Sequence, residues 1–105
     1  MVIVMMNVIE KKYIKDGLEL NALMVELHNT TLLLLEGYDA FFMCGALDTA
    51  VYQDREVVCG KAVGVKTLDD LYDAPIKDCS NYAKHIGIIP GMSVYEAFNK
   101  LSKKE

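Results

Sequence analysis

The chain has 105 residues, 52% of them apolar and 25% charged, and a formal net charge of −4. That length suits one domain, residues 1–105, and the apolar content excludes disorder, since a domain of this size hides roughly 65% of the surface its unfolded chain exposes. No clustered Lys/Arg face offers a footprint for nucleic acid, and no segment reaches the roughly 20 apolar residues that a membrane span needs.

Taken in order, the apolar start at residues 1–6 lacks a positive leader and a cleavage site, so it does not read as a signal peptide. Residues 5–14 mix β-branched, aromatic and charged types without helical spacing, and Lys15-Asp16-Gly17 supplies an Asp-Gly turn, so a hairpin is predicted. In the next strand, 18–28, the alternation changes midway. Leu18, Leu20 and Ala22 share one parity, whereas Leu23, Val25 and Leu27 share the other. Either a β-bulge resets the register, or both faces of the strand are covered, the second of which implies a contact with another subunit. Strands at 31–35 and 40–44 follow, separated by a turn at Glu36-Gly37-Tyr38-Asp39.

Beyond Gly45 the spacing of Leu47, Ala50 and Val51 predicts a short amphipathic helix ending near Asp54-Arg55. Residues 57–65 read as a strand, and the connection from Cys44 is long enough for a crossover between parallel strands. Thr67 is placed to cap a short helix through Leu71-Tyr72, and Asp78 or Ser80 opens another that Gly87 stops. Ser93-Val94-Tyr95-Glu96 is a capping box, and it starts a helix with the apolar face Val94, Ala97, Phe98 and Leu101. The fold class is therefore α+β: N-terminal hairpins in a mixed sheet, one short βαβ crossover, and C-terminal helices packed on the sheet.

Chemistry concentrates where the strand ending at Cys44 gives way to helical spacing. A cysteine there can have its thiolate stabilised by free backbone amides and the helix dipole, and the amides of Gly45 and Ala46 can receive a small anion. Asp48 is then an orienting carboxylate, and Lys61 and Lys66 supply cations. The competing reading makes Cys44 a buried small hydrophobe and Asp48 a favourable first-turn acid. Gly60, Ala62 and Gly64 form a small-residue parity that admits a ligand or another backbone, and packing alone also explains it. Cys44, Cys59 and Cys79 are odd in number and widely spaced, which fits a reducing cytoplasm. With His28 and His85 they form no metal-ligand motif, and no P-loop, GxGxxG or Ser/His/Asp signature implies a cofactor or a known reaction.

Gly37-Tyr38, the block Phe42-Met43-Cys44-Gly45-Ala46-Leu47-Asp48, the block Gly60-Lys61-Ala62-Val63-Gly64-Val65-Lys66, and Gly91-Met92-Ser93 together resemble the YunC-like family of small bacterial and archaeal proteins, a domain of unknown function. The resemblance runs from about Gly17 to Leu101. It implies a mixed α and β domain whose N-terminal strands build a homotetramer, with Cys44, Gly45, Leu47, Asp48, Gly60, Lys61 and Gly64 at recurring positions. Thr49 stands where a small aliphatic residue is more usual, and residues 52–58 form a shortened segment.

Overall fold

A computed structural model describes residues 7–27, 30–44 and 57–103, without the side chains of Asn7, Leu27 and Thr30. It contains one six-stranded sheet whose spatial order follows chain order. Strands β1 (Asn7–Lys15), β2 (Leu18–Leu27), β3 (Thr30–Gly37) and β4 (Ala40–Cys44) form an antiparallel meander, and β5 (Val58–Ala62) joins β4 in parallel. A two-residue strand, β6 (Asp78–Cys79), closes the sheet antiparallel to β5. Helices α1 (Leu68–Asp73), α2 (Asn81–His85) and α3 (Val94–Ser102) complete the α+β fold.

Local chemistry accounts for the meander. Asp16 and Gly17 both take positive φ, 53° and 82°, as a two-residue type I′ hairpin turn requires. Tyr38 and Asp39 do the same at 52° and 62°, so β3 runs two residues further than its apolar pattern predicts. The alternation change in β2 has a definite outcome. Its register is unbroken from Leu18 to Leu27 against both neighbours, so no bulge intervenes and the strand is apolar on two faces.

On the inner face, Leu18, Leu20, Leu33, Leu35 and Phe42 join Leu71, Tyr72, Val94, Phe98 and Leu101 in a single buried core. The opposite, outer face carries Leu23, Val25 and Leu34, each only half-buried and outside that core.

Capping places the helices. Thr67 accepts the amide of Asp70 at 3.0 Å, and Ser93 accepts that of Glu96 at 3.0 Å, so both predicted caps are present. Backbone bonds from Ile76 N–H to the Met92 carbonyl (2.8 Å) and from Val94 N–H to the Ala74 carbonyl (3.0 Å) fix the start of α3 against the segment after α1. Strand β5 is shorter than 57–65, because the chain bends at Val63 and Gly64, where φ reaches +76°. The expected helix between Cys44 and Val57 lies outside the described residues.

Candidate functional site

Cys44 ends β4 opposite Ala62 of β5, and its side chain turns to the inner face, where only 8% of the residue is exposed. The Leu33 amide donates to Cys44 Sγ at 3.5 Å, and the thiol points at the Thr31 carbonyl, 4.0 Å away. Sheet backbone thus occupies both roles of the thiol. Lys61 pairs with Met43 on one side and Asp78 on the other. Adjacent strand residues point to opposite faces, so Lys61 and Cys44 are separated by the sheet itself. Sequence spacing grouped them, and the pleat parts them. Lys66 is exposed and its backbone amide, rather than its ammonium, is engaged, donating to Asp70 Oδ2 at 3.2 Å. Gly45, Ala46 and Asp48 lie outside the described residues.

The small-residue parity of β5 has an occupant. A Cβ on Gly60 would stand 3.0 Å from two ring carbons of Phe42 and 3.1 Å from the Asp78 carbonyl oxygen. Phe42 fills the space that Gly60 leaves, so this stripe serves packing. Gly64 instead faces open space and is required for its positive φ at the bend.

Ser80, fully buried, is a junction that pattern reading saw only as a cap. Its hydroxyl donates to the Val57 carbonyl and accepts the amides of Cys59 and Ala83, each at 3.3 Å. One side chain therefore ties β5 to the first turn of α2. Burial pushes the Cys59 and Cys79 thiols above the ordinary range, which suits structural rather than reactive cysteines. Among the described residues, no group of three or more His, Cys, Asp or Glu is arranged to hold a metal ion. No described helix is long and apolar enough to cross a membrane.

A second cluster escaped the sequence reading because its members are far apart in the chain. Tyr72 packs between Tyr13 and Tyr95, with ring centroids 5.4 Å from each. The Tyr13 hydroxyl donates to Asp69, and the Tyr72 hydroxyl donates to Asp16 at 2.9 Å. Lys15 lies over the Tyr72 ring at 5.0 Å and near Asp69 at 3.9 Å. These contacts hold the tip of the β1–β2 hairpin to α1. Burial first, and then the bonded carboxylates, push both phenols well above the usual tyrosine range.

A pH dependence follows from that shift. Above about pH 10, the ordinary tyrosine value, the unfolded chain loses phenolic protons that the folded chain keeps, so stability falls as pH rises. The denaturation midpoint is expected to be flat up to about pH 9 and to decline beyond it. Tyr72→Phe should shift less over the same alkaline range, and an equal decline in the variant would contradict the assignment.

The thiol gives a second expectation. Native Cys44 should resist iodoacetamide at neutral pH and react only on unfolding, because alkylation requires an accessible thiolate. Mass mapping of the alkylated chain measures this, and rapid native labelling at Cys44 would show that the sulfur is reachable.

Residues 43–101 match the family described as Domain of unknown function (DUF1805). This chain belongs to the DUF1805 family. It is 38% identical to the uncharacterized protein YunC of Bacillus subtilis, across 84% of this chain and 91% of that protein. It also matches the crystal structure of a protein of unknown function from Thermoplasma acidophilum at a TM-score of 0.77 and 29% identity, covering 92% of this chain and 93% of the other. The DUF1805 match opens at Met43, so the Cys44 block stands at its start and most of the meander precedes it.

Proposed function

We propose that the protein works as a homo-oligomer, with its N-terminal strands forming the subunit interface. The observation that carries this reading is the two-faced β2. An unbroken register sends Leu18, Leu20 and Ala22 into the core and leaves Leu23 and Val25 on the outer face beside Leu34 and Leu32. An antiparallel sheet that packs on one side only carries polar residues on the other. Here that pattern holds towards the turn, where Glu19, Asn21 and Glu36 stand on the outer face, and Asn21 Nδ2 donates to Glu36 at 3.0 Å. An apolar patch beside a polar margin is the anatomy of a protein contact. The three cysteines, all free and buried, fit work in a reducing compartment such as the cytoplasm.

Light scattering coupled to size-exclusion chromatography at micromolar concentration tests the reading, with a mass at a multiple of the monomer expected. A strict monomer overturns it. Leu34→Glu is expected to shift the assembly to smaller species while far-UV circular dichroism is retained, because the charge would be buried without a partner. A variant that assembles like the parent would remove this face from the interface.

A further inference from the structure

Strand β1 is an open edge of the sheet, nine residues long, and contains no proline or glycine. Such an edge presents unpaired N–H and C=O groups to a second chain. Of the five exposed large apolar side chains among the described residues, three stand on it: Val8 at 54%, Ile9 at 40% and Ile14 at 66%. We infer that β1 pairs antiparallel with β1 of a second copy, in the register that centres both strands on Lys11. This rests on the proposed self-association and names the contact that a partner makes at the sheet edge.

Symmetry restricts the choices. A two-fold axis that joins two copies of one strand antiparallel runs perpendicular to the sheet and passes where a residue meets its own copy. Each outer-face residue therefore meets an outer-face residue, and the register is fixed by the central one. Centring on Glu10 sets Glu10 against itself, and centring on Lys12 sets Lys12 against itself. Centring on Lys11 pairs all nine residues of Asn7–Lys15. On the outer face it sets Val8 opposite the partner's Ile14 and Glu10 opposite the partner's Lys12, and each pair occurs twice. The row Val8, Glu10, Lys12, Ile14 is thus its own complement: apolar, acid, base, apolar. Opposite-charge and apolar cross-strand pairs are the stabilising ones.

The backbone is available in the same register. In a two-residue hairpin the closing pair, here Lys15 and Leu18, exchanges hydrogen bonds, so Lys15, Tyr13, Lys11 and Ile9 turn their amides towards β2. Val8, Glu10, Lys12 and Ile14 turn theirs to the free side. Lys11 and its copy then form a non-hydrogen-bonded pair, with Cα atoms about 4.5 Å apart. That like-charge contact is the one unfavourable pair, and it lies at the exposed rim on the inner face.

A cysteine at position 11 reads this register directly, because disulfides form at Cα separations of about 4.4–6.8 Å. Mild oxidation of Lys11→Cys in the full chain is expected to give a covalent dimer, whereas Val8→Cys, far from its own copy, gives none. Glu10→Lys should weaken the dimer by about tenfold or more, since two pairs become repulsive, and Glu10→Lys combined with Lys12→Glu should restore it. An oligomer that persists while Lys11→Cys fails to cross-link and Glu10→Lys has no effect overturns the edge contact and leaves the outer-face interface standing. Loss of assembly in Glu10→Lys without rescue by the double exchange also overturns the register. A strictly monomeric parent chain overturns both.

Discussion

Replacing Phe98 with alanine is expected to remove about 3–5 kcal/mol of folding stability, the range for deleting a buried aromatic side chain. Phe98 is fully buried on α3, and its ring meets Phe42 of β4 edge-to-face, with centroids 5.0 Å apart and planes at 82°. That geometry adds about 0.5–1.5 kcal/mol beyond the area buried. The loss is a large share of the roughly 5–15 kcal/mol that holds a typical domain together. At about 4–8 °C per kcal/mol for domains near this size, the melting temperature should fall by roughly 15–30 °C. The comparison is made at one protein concentration, because assembly couples to melting. A loss below about 1 kcal/mol would show that α3 does not depend on this contact.

Gly60→Val is the second large effect. The new Cβ would press on the Phe42 ring at 3.0 Å and on the Asp78 carbonyl at 3.1 Å, and the two methyl groups beyond it have less room still. Overpacking of this kind costs about 1–3 kcal/mol, with Gly60→Ala towards the lower end. Chemical denaturation of Gly60→Ala, Gly60→Val and Phe42→Leu, with the double variants, gives the coupling between the two positions. If Phe42→Leu relieves the valine variant, then glycine is needed at position 60 to seat the ring. Independent effects would reopen a ligand role for the stripe.

Gly60 also shows how far the sequence could be read. The small parity of Gly60 and Ala62 announced a close approach, but the approaching group, Phe42, belongs to the neighbouring strand and became visible only through the parallel register. Local signals were reliable: the Asp-Gly turn, the Thr67 and Ser93 caps, and the crossover spacing that implied parallel strands all correspond to described features. Signals that depend on side-chain direction were not. Lys61 seemed a partner for Cys44 because both flank glycine-rich blocks, yet the pleat points them to opposite faces. Strand β6 was missed because two residues carry no alternation, and the tyrosine cluster because Tyr13 and Tyr72 meet only after the sheet has formed.

The meander described above also orders the folding reaction. Strands β1 and β2, and β3 and β4, are joined by two-residue turns, so those pairings close short loops and cost little chain entropy. The parallel pairing of β4 with β5 must first close residues 45–57, and docking of α3 waits on contacts more distant still. Contacts between sequence neighbours form faster than distant ones, so the two hairpins are expected to gain hydrogen-exchange protection before β5 does. Leu23 and Leu34 are then displayed on a sheet that has no helix layer, which makes the nascent chain adhesive before it is complete. Partner capture during folding, rather than after it, is the kinetic consequence of a sheet that is apolar on both sides.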